Sequence, residues 1–282
     1  MFGVLNVYKP VGMTSHDVVS YVRKLTNIRQ VGHSGTLDPF AEGVLPICIG
    51  KATRLIEYFT DDKEYIATLQ FGAETSTYDI EGEKIFVSDK KVTKSEVVNA
   101  LKSFEGDIEQ IPPIYSAIKV NGKKLYDYAR KGESVEIKPR HIFIERIELK
   151  SFNKEIQQAE ILIKCSKGTY IRSIAHDLGK ILNCGAYLVK LIRTQAGNLR
   201  IENSTKLDDL VIEENIINPV KMINLPKIEV NLDDIKKIKN GVSITKDISV
   251  SSFVLLVYNN DEICAVGLAE KGVIKVKKVF LE

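Results

Sequence analysis

The stretch VGHSGTLDPFAEGVLPICIG, Val31 to Gly50, sets four glycines and two prolines around Asp38. No helical period runs through its first half. Asp-Pro initiates turns well, so one reading of Asp38-Pro39 is a bare turn. The other reading takes Gly32, Gly35 and Gly43 as places where a ligand approaches the backbone closely. Pro39 then fixes a torsion beside the acid, and Asp38 becomes a carboxylate held in one geometry for chemistry. No carboxylate adjoins it in the chain, and no HxH or HxxxH spacing gives His33 a metal role. A lone carboxylate of this kind acts as a nucleophile or as a general base. His33 either hydrogen-bonds the loop backbone or contacts a ligand.

Working outward, GVLNVYKP reads as a short strand ended by Pro10. TSHDVVSYVRKLTN reads as a helix capped by Thr14 or Ser15, with Val18, Val19, Val22 and Leu25 at helical spacing. KEYIATLQFG alternates Tyr65, Ala67, Leu69 and Phe71 against more polar positions, which is the pattern of a half-buried strand. Thr93 and Glu96 form a capping box that starts a helix. Asn121-Gly122 signals a hairpin, followed by a basic segment that Gly132 ends. VEIKPRHIFIERIEL and AEILIKCS read as strands, KGTY as a turn, and IRSIAHDLGKILNCG as a helix with Gly185 just past its end. AYLVKLIRT reads as a further strand. NPVKMINLPKIEV, punctuated by Pro219 and Pro226, marks a boundary before a strand-rich tail.

Three further groups carry candidate chemistry. In CSKGTYIRS, Lys167, Tyr170 and Arg172 crowd a strand-to-helix turn, where a helix N-terminus favours anions. Arg172 is suited to orient a carboxylate and keep it ionised, and Tyr170 to stack on a base; the alternative is an ordinary surface turn. On pattern alone, Tyr65 reads as a core aromatic of its alternating strand. Lys119, Lys123, Lys124, Arg130, Lys131, Lys138, Arg140 and His141 interleave with Tyr115, Tyr126 and Tyr128, which suits either an RNA surface or a solvated charged face. Together these groups match the needs of an enzyme that modifies an extruded base: a positioned reactive group, aromatic faces and basic surface.

Composition narrows the class. A 44% hydrophobic share over 282 residues supplies a core for one large domain, or one large and one small. No apolar run approaches the roughly 20 residues of a membrane span, and MFGVLNVYKPVGM lacks a signal-peptide layout. The expected location is cytoplasmic. Cys48, Cys165, Cys184 and Cys264 form no CxxC pair, so neither zinc nor a redox motif is supported. The net charge of +3 permits a nucleic-acid partner without requiring one.

The ordered segments GVLNVYKPVGMTSHDVV, GHSGTLDPFAEGVLPICIGKATR, KEYIATLQFGAETSTYDIEG, PPIYSAIKVNGKKLYDYARKG and KCSKGTYIRSIAHDLGKILNCGAYLVKLIRT resemble the bacterial tRNA pseudouridine synthase B (TruB) family. The likeness is close from Gly3 to about Thr194 and looser in the tail. Ser34 departs from the Gly or Thr of many members. The resemblance implies isomerisation of uridine to pseudouridine at position 55 in the T-arm loop of tRNA, by base flipping and without cofactor or metal. It implies Asp38 as the catalytic aspartate and Tyr65 as the residue stacking on the flipped uridine. Tyr170 becomes a base contact, and Arg172 the partner that keeps the pKa of Asp38 low. Leu191 becomes an apolar pocket residue, and His33 fills the space the base vacates. The expected RNA-binding residues are Lys9, Lys119, Lys123, Lys124, Arg130, Lys131 and Lys167.

The implied fold is α+β, with a mixed, mainly antiparallel central sheet flanked by helices (the pseudouridine synthase fold) and a small C-terminal β-rich PUA-like domain. The implied domains are a catalytic 1–225, with an RNA-clamping insertion at about 115–141, and an RNA-binding 226–282; the expected state is a monomer with no membrane partner. Two other readings stay open: the catalytic subunit of a guide-RNA-dependent, dyskerin-like enzyme, and a non-catalytic RNA-binding or RNA-folding protein.

Overall fold

The computed structural model describes residues 1–259 and 261–281. The alternation in Lys63–Phe71 becomes the strand that organises the molecule. Its Tyr65, Ala67, Leu69 and Phe71 are buried while the intervening residues are partly open. It lies inside an 11-stranded mixed sheet. On one side it pairs antiparallel with Gln158–Cys165, which continues to Arg140–Asn153 and Gly106–Gln110. On the other it pairs antiparallel with Ala186–Ala196, which runs parallel to Glu42–Ile49; Gly3–Lys9 follows. The arrangement is mixed and mainly antiparallel.

Glu42–Ile49 is a strand despite Pro46, a residue that argues against a central strand because it donates no ladder hydrogen bond. Pro46 is accommodated where the strand changes neighbours. Glu42 and Gly43 pair with Ala186–Ala196, and Ile47 to Ile49 pair with Val31–His33. Between them, the Pro46 carbonyl accepts from Ser34 N–H.

Helices cover the sheet where apolar stripes meet it. Ile171–Ile181 and Lys94–Leu101 pack on the Tyr65 face. Ser15–Thr26 packs with Val18, Val19 and Val22 against Leu5, Val7, Leu45 and Ile47. Leu25, on the same stripe, falls in the last turn and stays 46% exposed. Thr14–Asp17 and Thr93–Glu96 both form complete capping boxes, each cap contributing about 1 kcal/mol. The strand expected from Val135 begins only at Arg140, because Pro139 immediately before it offers no N–H to the ladder. The helix expected to reach Gly185 ends at Ile181, and Asn183 takes the left-handed conformation there (φ 51°). Asn121 and Gly122 both have positive φ and close a two-residue hairpin, Lys119–Val120 with Lys123–Lys124. No helix among the described residues is long and apolar enough to cross a membrane.

After Pro226 a five-stranded sheet forms around its own core of Ile228, Ile238, Val254, Leu256 and Ile274. Its other side is shared. Leu255, Val257, Ile263, Val266 and Phe280 join one cluster with Val4, Val44, Leu55 and Phe59 of the main body. Lys51 Nζ donates to Leu281 O at 2.9 Å and Arg54 Nη1 to Val279 O at 3.1 Å. A chain cut before Pro226 loses that cover. It is expected to lose at least about 3 kcal/mol, the equivalent of one or two buried aliphatic side chains. A lowered Tm and binding of an apolar dye would show it; an unchanged melt would mean that the shared cluster contributes nothing.

Candidate active site

Asp38 sits on the turn between Val31–His33 and Glu42–Ile49. Its rigidity comes from buried groups reaching in from elsewhere. Ser15, 2% exposed, donates through Oγ to Leu37 O (3.0 Å) and accepts from Leu37 N–H (2.8 Å). Arg193, 1% exposed, donates to Val44 O (2.6 Å), Gly35 O (3.1 Å) and Thr36 O (3.4 Å). Gly12 N–H donates to Pro39 O. Gly43 makes room for protein rather than for a ligand, whereas Gly35 borders a cavity that Asp38 also lines. A Cβ on Gly43, at φ 108°, would lie 2.3 Å from Arg193 O on the neighbouring strand.

Lys9, expected to bind RNA, is fully buried. Its ammonium donates to Pro10 O (2.8 Å), Met13 O (2.7 Å) and Pro39 O (3.3 Å). It therefore ties the Pro10–Met13 turn to the Asp38 loop and cannot reach a phosphate. Burial lowers its pKa to about 8, with Asp38 acting in the opposite direction.

Arg172 enters from the first turn of Ile171–Ile181. That turn has no side-chain cap of its own. Instead, Gln110 clamps Tyr170, accepting from its N–H (2.8 Å) and donating to its carbonyl (3.0 Å). Arg172 Nε lies 2.9 Å from Asp38 Oδ2, and Nη2 donates to Oδ1 at 3.3 Å. Nη1 lies 3.2 Å from Asp79 Oδ2, and the guanidinium also donates to Thr77 O and Tyr115 O. One buried cation is thus shared between two carboxylates.

The sharing changes the electrostatics. Burial pushes the Asp38 pKa above the ordinary carboxylate range; Arg172 pulls it down and Asp79 adds to the rise. The expectation of a depressed pKa is corrected on this point, because the cost of burial outweighs the pull of Arg172, whose charge Asp79 also shares. The acid limb of the single-turnover rate profile is therefore expected above the ordinary aspartate value of about 3.9. Asp79→Asn should move it to lower pH; a limb unmoved by that change would separate Asp79 from Asp38 electrostatically.

These groups border a cavity of about 800 Å³. Asp38, Tyr65, Tyr170, Arg172, Leu191, His33 and Lys167 all line it. Tyr65 belongs to the core and also lines the cavity, 7% exposed. Leu191 pairs with Ala67, two register positions away, on the strand whose Arg193 pairs with Tyr65. His33 Nδ1 accepts from Gly35 N–H at 3.3 Å, and burial, then Arg193 and His16, lowers its pKa, so the imidazole is neutral at pH 7.

The insertion's basic residues stand outside this lining, although its Tyr115 and Tyr126 reach it. Lys119, Arg130 and Lys131 are exposed. Lys123 Nζ pairs with Glu133 and lies 4.3 Å from the Tyr128 ring centre. Lys124 Nζ donates to Tyr126 Oη (3.0 Å).

Asp79, Arg193 and Gln110 are not singled out by the sequence reading, which offers Ser15 only as a helix cap. Arg193 had a signal, a charge at an inward-facing position of an apolar strand. Asp79 had only a turn-like setting, Asp79 to Gly82.

A family model described as TruB family pseudouridylate synthase, N-terminal domain, matches residues 23–171. One described as tRNA pseudouridylate synthase B C-terminal domain matches 172–218. The tRNA pseudouridine synthase B of Clostridium tetani is 43% identical over 291 residues, covering 100% of both chains. That of Carboxydothermus hydrogenoformans is 42% identical over 99% of each. Among solved structures, a Cbf5-Nop10-Gar1 complex matches with a TM-score of 0.77 at 28% identity, over 99% of this chain and 85% of that one. An H/ACA RNP bound to a substrate RNA containing 2'-deoxyuridine matches at 0.73 and 26%, over 100% and 86%.

Proposed function

The chain belongs to the TruB family of pseudouridylate synthases, and from that membership we propose that it isomerises the uridine at position 55 in the T-arm loop of tRNA, with Asp38 as its catalytic residue. It is a tRNA pseudouridine synthase, an isomerase. The observation that carries the site assignment is Asp38, ion-paired to Arg172 inside a cavity walled by Tyr65, Tyr170 and Leu191.

The reaction breaks C1′–N1, turns the freed base and forms C1′–C5. The C5 proton leaves and N1 takes one, so the product is an isomer and no electron donor is needed. One ionised oxygen suffices to act on the nucleoside, at C1′, at C6 or on a sugar proton, provided the base cannot escape. Asp38 supplies that oxygen. Tyr65 stacks on the base, Tyr170 contacts it, Leu191 closes an apolar wall, and His33 occupies the space the base leaves in the RNA. Arg172 holds Asp38 ionised against the cost of burial.

Lys119, Lys123, Lys124, Arg130, Lys131 and Lys167 supply phosphate contacts, with the segment at about 115–141 acting as a clamp on the catalytic domain 1–225. The sheet of 226–282 adds RNA-binding surface. A monomer suffices, since one chain supplies every group named. The four cysteines are free and buried, which fits a reducing cytoplasm.

A guide-dependent reading draws on the likeness to Cbf5 structures. Full-length identity of 40–43% to tRNA pseudouridine synthase B proteins favours the stand-alone enzyme. Incubation with an unmodified T-arm stem-loop, with no guide RNA or second protein, distinguishes them. Pseudouridine is expected at position 55 alone. None at all would sink the proposal, and product only with a guide RNA would establish the second reading.

A further inference from the structure

Resting on that reading, we infer that Lys63 and Lys167 form a binding site for an RNA phosphodiester at the cavity mouth, and that Asp61 occupies it as a built-in competitor until RNA displaces it. Lys167 Nζ lies 2.8 Å from Asp61 Oδ2. Lys63 Nζ donates to Asp61 O at 2.9 Å and stands 3.8 Å from Asp61 Oδ1. Two ammonium groups therefore share one carboxylate, and the rim keeps a surplus of positive charge. Neighbouring acids are turned elsewhere: Asp62 accepts from Gln195 Nε2 and Glu64 from Thr194 Oγ1.

Lys63 is not an ordinary surface lysine. Its side chain is 12% exposed, and it lines the same cavity as Asp38 and Arg172. It lies against the Asp38 loop: a Cβ at Gly35 would come 3.3 Å from Lys63 Cε. Burial lowers its pKa and Asp61 opposes this. Asp61 gives this largely buried ammonium an anionic neighbour in the free protein. A phosphate oxygen would supply a better one, because it brings the rest of the RNA with it. The Asp61 side chain is 37% exposed and Lys167 72%, so the bridge can open into water at little cost. Because these groups border the cavity that takes the flipped nucleotide, the phosphate is one of the two linkages flanking that nucleotide.

The test measures T-arm RNA affinity of the full-length protein as a function of salt. Asp61→Asn is expected to tighten binding about threefold to tenfold, since the competitor loses its charge. Lys167→Met should weaken it about tenfold and reduce the log–log salt slope by about 0.7 to 0.9, the value of one phosphate contact. Lys63→Met should do the same, with Lys63→Arg restoring affinity; the exposed Lys167 covers the case in which Lys63→Met fails to fold. Neutral methylphosphonate at one flanking linkage should cost the wild type affinity and cost Lys63→Met nothing further.

Weaker or unchanged binding in Asp61→Asn overturns the competitor role. Additive losses at both linkages overturn the phosphate assignment. Competition by inorganic phosphate at concentrations comparable to the RNA would assign the site to a free anion instead. Should wild-type protein make pseudouridine while these variants keep wild-type affinity and slope, this inference alone fails and the proposed function stands.

Discussion

Asp38→Asn is expected to lower the single-turnover rate of pseudouridine formation by at least about 10⁴-fold, the scale on which loss of an essential catalytic group is felt. The fold should not suffer. Asp38 has its pKa raised in the folded protein. Between the unfolded and folded pKa values the folded state binds more protons, so stability falls as pH rises through that window and stays lower above it. At neutral pH the asparagine removes this cost, while Arg172 keeps Asp79 at 3.2 Å. The Tm should therefore be unchanged or higher, and T-arm affinity should persist. A variant retaining a tenth of the wild-type rate would remove Asp38 from the reaction. A large drop in Tm would show that the Arg172 pair is needed for folding.

Arg172→Met has the opposite signature, because both stability and rate should fall. The substitution leaves Asp38 and Asp79 without their shared cation, and the carbonyls of Thr77 and Tyr115 lose their donor. Arg172 is 6% exposed, so the penalty is that of breaking a buried pair, at least about 3 kcal/mol. In a chain of this size that is a Tm loss of roughly 6–12 °C. The rate should fall at least about 10²-fold, as when one preorganised electrostatic donor is removed. The acid limb should also move to higher pH, because the group that held Asp38 ionised has gone. Arg172→Lys keeps the charge without the fork, and should recover part of the stability with little of the rate. A Met variant with wild-type Tm and acid limb would refute the shared-cation description.

The two substitutions separate what was legible in the sequence from what was not. Thr14 with Asp17, and Thr93 with Glu96, interact three residues apart, and the hairpin at Asn121-Gly122 needs only its own two torsions. The alternation of Lys63–Phe71 likewise reports its buried face directly. Asp38, Tyr65, Tyr170, Arg172 and Leu191 were legible because they lie in long family motifs, and they gather at one cavity.

The errors share a cause. Lys9 reads as an RNA contact because a lysine is usually solvated, and nothing within its own strand says that its ammonium is fully buried among carbonyls, one of them 30 residues away. The raised pKa of Asp38 comes from burial, which the tertiary structure imposes, with a further rise from Asp79 and an opposing pull from Arg172, 134 residues from Asp38. In the sequence only Pro39 stiffens the loop, yet Arg193 holds it from 158 residues away. Pro219 and Pro226 mark a boundary, and only the fold shows that apolar residues beyond it share a cluster with the main body.

By itself, then, the sequence determined the local elements, the family motifs and a candidate for the reactive group, because those rest on torsions, short-range caps and side-chain chemistry. Only the tertiary structure decided which charges are shared, which are buried and which face the cavity. Those outcomes depend on the local dielectric and on partners more than a hundred residues away, which no short window of the chain contains.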